Sequence, residues 1–350
     1  MNLYARLANL PLVIDGFTLR GLESGTPTGW TRHTTEVRLS GDGETGVGED
    51  VTYLDEDQAR LQADGHGLPL AGTYTLDSFS RHLGDLDLFL GTEPGDAAYR
   101  HYRRWAFESA AADLALRQAG ASLSEVLDRP LRPLRFVASL GLGTPPTLEP
   151  LQALRDRSTG LGFKVDFDIT WTEEIVTALA AFGGVGTVDL KGQYRGVFEG
   201  PPADAERYAL VARVLDRAWI EDPDWNDSTS AVLEPIADRI TWDAPFHAVS
   251  DLDGFPNTPR AVSIKPSRFG TWSELLGVYE RCERDNIAMY SGGQFELGVG
   301  RDHIQYLAAM FHADAPNDCA PREFNEPGSG ALPTSPIGLT PAARGFSLSS

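Results

Sequence analysis

The 350-residue chain is 41% hydrophobic and 23% charged, which is enough apolar matter for one large core or two smaller ones. Its 50 acidic against 30 basic side chains, a formal charge of −20, repel phosphate backbones and anionic lipid, so nucleic acid and membrane surfaces are excluded as expected partners. Cys282 and Cys319 are too few for a disulfide framework and lack metal-site spacing, the N-terminal stretch shows no cleavable leader, and no run reaches the roughly 18 apolar residues of a membrane span; a cytoplasmic protein is expected.

Residues 12–75 alternate strand-like runs (LVIDGFTLRG, HTTEVRLS, TYTL) with glycine-rich turns, which predicts a small antiparallel sheet. The segment YRRWAFESAAADLALRQ, 102–118, combines good helix formers with apolar Trp105, Ala112 and Leu116 and a stop at Gly120. Sheet followed by helix makes the first domain, 1–125, α+β.

From about residue 130 the rhythm changes. Short β-rich runs at 132–138, 161–167, 185–190, 217–221, 238–243, 260–265 and 286–290 alternate with helical patterns. WTEEIVTALAAF carries Ile175, Leu179 and Phe182 on one side, DAERYALVARVLD carries Tyr208, Ala212 and Leu215, and a capping box at 271–274 precedes Leu275, Tyr279 and Cys282. Strand–helix units repeated in series predict a parallel sheet, and the α/β class with a (β/α)8-type TIM barrel over 126–329 fits them best. A phosphate-binding glycine fingerprint, which an open doubly wound sheet would more often carry, is missing.

In such a barrel the chemistry sits where strands end. The ends of successive strands read Lys164, Asp189, Glu221, Asp243 and Lys265, at spacings of 25, 32, 22 and 22 residues. Each spacing approximates one strand-plus-helix unit, so the five side chains converge on one rim. Three carboxylates from adjacent strands repel one another unless a cation sits between them, and an all-oxygen set favours a hard ion such as Mg²⁺, with Mn²⁺ as the alternative. Lys265 closes an apolar run, where an ammonium needs a partner or a task.

These residues carry a resemblance. TVDLKG, WIEDPDW, ITWDAP and VSIKPSRFG resemble the metal-ligand and lysine strands of the enolase superfamily, GFKVDFD its second-strand lysine motif, and SGGQFELGVGR its seventh-strand segment. GVGED at 46–50 and RWAFESAAADLALRQAG at 104–120 are similar to its N-terminal capping domain, and SPIGLTPAARGFSL, within 330–350, to a stretch that returns to the cap. The nearest subgroup in character is the muconate-lactonizing one, with its o-succinylbenzoate synthases and racemases. The resemblance implies abstraction of the α-proton of a small carboxylate substrate to an enediolate held on Mg²⁺, followed by elimination or isomerisation. Asp189, Glu221 and Asp243 would be the metal ligands, and Lys265 and Lys164 the catalytic lysines, with a pKa depressed by neighbouring positive charge. The loop 20–32, with SGTPTGW, would be a lid over the barrel mouth.

One departure matters. The second strand of that family often reads Lys-x-Lys, whereas here the triplet is Lys164-Val165-Asp166. Asp166 is then a weaker base or a partner of Lys164 or Lys191, and a one-base reaction is favoured over symmetrical racemisation. Lys191, two residues from Asp189 on the same strand face, and Glu296, near Arg301, are further candidates, and His247 a lesser one. Two other readings stay open: a Schiff-base lyase using Lys265 as nucleophile, and a non-catalytic barrel that binds ligand. A homo-oligomer is compatible with the sequence.

Overall fold

The computed structural model describes residues 2–25, 30–195, 199–325 and 330–349. The N-terminal part holds a two-stranded pair, β1 (Pro11–Ile14) with β5 (Gly72–Thr75), and an antiparallel sheet of β2 (Gly16–Gly25), β3 (Thr31–Gly41) and β4 (Glu44–Asp50). The tip of the expected lid, residues 26–29, lies outside the described residues.

The sheet packs on a 20-residue helix, Tyr99–Gln118, and the sequence GVGED explains how. A Cβ on Gly46 would sit 2.2 Å from Ala110 O, and one on Gly48 2.0 Å from Ala106 O. Glycines two apart on a strand thus meet residues four apart on a helix, and the two backbones approach more closely than any side chain allows. The helix starts three residues earlier than the sequence predicts: Tyr102 N already donates to Ala98 O at 3.2 Å, without any side-chain cap.

Seven parallel strands follow in sequential order: β6 (Val137–Gly141), β7 (Gly162–Asp166), β8 (Val185–Asp189), β9 (Trp219–Glu221), β10 (Ile240–Trp242), β11 (Ala261–Ile264) and β12 (Ala288–Ser291). Among the described residues they form one curled, open sheet, and β6 and β12 do not pair with each other. Residues 317–318 lie in the gap between them. Asn317 O accepts from Val137 N at 2.8 Å, Asn317 Oδ1 accepts from Ser291 N at 2.8 Å, and Asp318 N donates to Ser291 O at 2.8 Å. The closed eight-stranded barrel is therefore replaced, where an eighth strand would stand, by a two-residue bridge.

Two expectations shift. The first strand of this sheet begins at Val137 rather than near 132, because Pro133 lacks an N–H and Leu134 pairs instead with Ile337. After β10 the chain forms a 3-10 turn, Val249–Asp253, in place of a helix. The helices Glu173–Phe182, Ala205–Val214 and Trp272–Asp285 stand where the periodicity places them. Trp272 is fully buried against Trp105 of the long helix, ring centroids 5.0 Å apart, and joins the N-terminal core to that of the parallel sheet. Both cysteines are buried free thiols. Among the described residues no helix is long and apolar enough to cross a membrane.

Candidate active site

Because β7 to β11 run parallel in chain order, their C-terminal ends share one rim. The register aligns Asp166 with Asp189, Asp189 with Glu221, and Glu221 with Thr241, two residues before Asp243. Lys164 stands inside β7, Asp243 directly follows β10 and Lys265 directly follows β11. All five side chains predicted from spacing meet in one buried charge cluster.

Its pairs are specific. Lys164 Nζ contacts Glu221 Oε1 and lies 3.3 Å from Asp189 Oδ2 and 3.8 Å from Asp318 Oδ2. Lys191 Nζ lies 2.9 Å from Asp189 Oδ2 and 3.1 Å from Asp166 Oδ1. On the other side, Lys265 Nζ lies 2.8 Å from Asp243 Oδ2, and Arg268 Nη1 lies 3.0 Å from Asp243 Oδ1. Tyr290 OH donates to Glu221, and Tyr194 OH donates to Asp243 Oδ2 at 3.1 Å. Strand order thus puts Lys164 and Lys191 on one side of the carboxylates and Lys265 on the other.

Left-handed backbone creates part of this arrangement. Lys191 (φ 52°) turns back after β8, so its own N–H and its ammonium both reach Asp189; a turn, rather than a shared strand face, joins them. Asp222 (φ 49°) breaks the alternation after Glu221, and both its oxygens accept backbone N–H groups, from Asp243 at 2.8 Å and Ala244 at 2.7 Å. Oxygens of Asp189, Glu221 and Asp222 lie within 4.8 Å of one another, so Asp222 joins this acidic group beside the residues expected from spacing.

Electrostatics follow from burial and partners. Burial pushes Glu221 well above the usual carboxylate range, only partly offset by Lys164, and burial with Asp243 and Asp189 raises Asp222 to about 7. Burial also raises Asp318. For Asp189, burial acts upward too, but Lys191 and Lys164 outweigh it and hold the carboxyl below its ordinary value. For Lys265 burial acts downward, and the Asp243 carboxylate more than reverses that, so its pKa is raised.

The donor set fits a divalent cation. Six carboxylates (Asp166, Asp189, Glu221, Asp222, Asp243, Asp318) face four cations (Lys164, Lys191, Lys265, Arg268), which leaves a formal charge of −2. The ligands are all oxygen, and buried Asp243 Oδ1 accepts no hydrogen bond although Arg268 lies beside it.

The remaining candidates lie apart from this cluster. Glu296 pairs with Arg301 Nη2 at 3.2 Å and accepts the backbone N–H of Gln294. The His247 ring binds Ala244 O at 2.8 Å, and burial and Arg268 lower its pKa. Asp222, Tyr194, Arg268, Tyr290 and Asp318 were not singled out by sequence. Only Asp222 and Arg268 carried a signal, by standing inside WIEDPDW and KPSRFG.

The models of two parts of one family match this chain: the N-terminal domain of the domain of unknown function DUF8230 over residues 5–126, and its C-terminal domain over 130–326. An o-succinylbenzoate synthase of Listeria innocua is 29% identical over 106 residues, 30% of this chain and only 25% of the synthase. A solved enolase-superfamily member from Listeria innocua superposes with a TM-score of 0.68 at 18% identity, covering 88% of this chain and 86% of that one. The Methylococcus capsulatus dipeptide epimerase, solved with a Mg ion, gives 0.66 at 19% identity over 95% of this chain and 99% of the epimerase. The chain is thus a member of the DUF8230 family, built on the enolase-superfamily fold.

Proposed function

We propose that the protein is a divalent-metal-dependent enzyme of lyase or isomerase type that removes the α-proton of a small carboxylate substrate. The carrying observation is the strand-end cluster, in which carboxylates from β8, β9 and β10 lie between lysines from β7 and β11. Asp189, Glu221 and Asp243 would hold the ion, and Asp222 fixes the backbone of Asp243. Mg²⁺, or Mn²⁺, when bound there, supplies positive charge against which negative charge on the substrate carboxylate is stabilised. Lys265 Nζ, in its neutral amine form, would take the proton from the β11 side and, as the ammonium so formed, could return it. The ammonium groups of Lys164 and Lys191 face the reacting carbon from the β7 and β8 side and stabilise the anion. With Asp166 where a second lysine base is expected, proton transfer runs from one side, and elimination or one-sided isomerisation is favoured.

In the same reading the curled sheet is a (β/α)8 barrel whose eighth stave is reduced to residues 317–318. The units are a cap of 1–125 with 330–350 and a barrel of 126–329, in a cytoplasmic protein. The test is deuterium incorporation at the α-carbon across a library of small carboxylates with Mg²⁺ in D2O, read by mass spectrometry. Exchange by the wild type that is lost in Lys265→Ala, with Mn²⁺ still bound by that variant, supports the reading; full exchange in Lys265→Ala ends the role of Lys265 as base.

A further inference from the structure

We propose that Lys164 is an internal stand-in for a divalent cation, and that Asp318 is the positioning residue that receives its ammonium when such an ion binds. This rests on the reading of Asp189 and Glu221 as ion-holding residues. Lys164 Nζ contacts Glu221 Oε1 and lies 3.3 Å from Asp189 Oδ2, so the ammonium already lies between two of the carboxylates that would hold the ion. A dication and an ammonium cannot both occupy that pair, since like charges in a buried site are mutually destabilised.

Lys164 has nowhere else to go. It rises from the middle of β7 and is 3% exposed, so its head group cannot withdraw into water without dragging the strand. Asp189 and Asp166 are taken up by Lys191, and Asp243 by Lys265 and Arg268. Asp318 Oδ2, at 3.8 Å, is the remaining carboxylate within reach, and among the described residues its ion pair is with Lys164 alone. Its backbone is fixed as well. Asp318 N donates to Ser291 O at 2.8 Å, and neighbouring Asn317 is bonded to both Val137 and Ser291, so the short movement belongs to the flexible lysine and the carboxylate stays in place. The two-residue bridge between β6 and β12 thereby serves the site as well as the sheet.

The experiment is Mn²⁺ binding by the full chain, read from the loss of the free-ion electron paramagnetic resonance signal, for wild type, Asp318→Asn, Lys164→Met and the double variant. Asp318→Asn should weaken binding by roughly tenfold or more, because the displaced ammonium is left buried without a full partner. In the Lys164→Met background the same change should have little effect. An equal loss in both backgrounds overturns the proposal, since Asp318 would then act on the ion directly; so does wild-type affinity in Asp318→Asn. A wild type that binds no Mn²⁺ removes the metal reading itself, and this inference with it. A wild-type crystal soaked in Mn²⁺ needs no variant to fold: Lys164 Nζ should lie within hydrogen-bonding distance of Asp318 and apart from Glu221. An ammonium still bridging Asp189 and Glu221 beside the bound ion overturns the proposal.

Discussion

Glu49 on β4 joins the N-terminal sheet to the loop after β12. Its two oxygens accept the backbone N–H groups of Leu297 (2.7 Å), Gly298 (3.0 Å) and Gly300 (2.8 Å), at the start of the helix Val299–Phe311, and the Thr34 hydroxyl at 2.8 Å. Glu49→Gln keeps the shape but turns an amide NH2 toward donors. At least one or two buried donors then lose their acceptor, at about 1–3 kcal/mol each, and the negative charge at the helix N-terminus is lost, worth about 0.3–1 kcal/mol more. Relief of the carboxylate's own burial, 2% exposed, offsets part of this, so a net loss of about 3 kcal/mol is expected. Urea unfolding followed by tryptophan fluorescence measures it. Burial and then Glu296 raise the folded-state pKa of Glu49 above 4.5. The stability this carboxyl contributes is therefore full below its unfolded pKa and declines as pH rises toward its folded one. The variant's deficit should accordingly be larger at pH 5.5 than at pH 8. A deficit under about 0.5 kcal/mol at both pH values would refute the argument, since that is the range of ordinary surface substitutions.

Three further outcomes are expected. His303 is buried, and burial lowers its pKa to about 3, offset only in part by the Phe346 backbone; the stability it contributes is present above 6.5 and is lost as pH falls toward 3. His303→Leu should spare about 3 kcal/mol between pH 7 and 4.5, and urea curves for variant and wild type that fall in parallel would contradict this. Gly48→Ala drives a Cβ against Ala106 O, a backbone atom that cannot yield, and should cost about 1–3 kcal/mol, whereas Gly141→Ala, with nothing within 4 Å, should leave the melting temperature nearly unchanged. Asn317→Ala orphans Ser291 N and Arg135 O and should cost about 2–4 kcal/mol in urea unfolding; a smaller loss than Gly48→Ala would show that the bridge between β6 and β12 is not holding the sheet.

The sequence carried those features that repeat. Strands β7 to β12 are short β-rich runs bounded by turn residues, and their ends fall at near-equal intervals, so Asp189, Glu221, Asp243 and the two lysines could be found by counting. What local pattern does not encode is where a non-glycine residue leaves its usual backbone region. Lys191 and Asp222 reach the cluster only because both sit at positive φ, a choice imposed by the surrounding turns. Asp318 and Asn317 belong to an irregular segment with no strand periodicity, so only the pairing of distant strands reveals their place. β6 begins late because Leu134, directly after Pro133, pairs with Ile337 in the tail, a contact more than 200 residues away. Glu296, within the family-like glycine segment, pairs with Arg301.

The tail has a consequence for synthesis on the ribosome. Gly345 N–H reaches Ala121 O, Phe346 N–H reaches Asp113 Oδ1, Arg344 pairs with Glu44 at 2.6 Å, and the Phe346 ring stacks on His303 at 3.9 Å while packing edge-on against Trp272. The long helix Tyr99–Gln118 is thus finished by residues translated more than 220 positions later. Nascent chains arrested before residue 344 would hold that helix with part of its partner surface unmade, and its buried Asp113 without the N–H of Phe346. The helix Tyr99–Gln118, although made earlier, reaches its final packing only when residues 344–346 emerge.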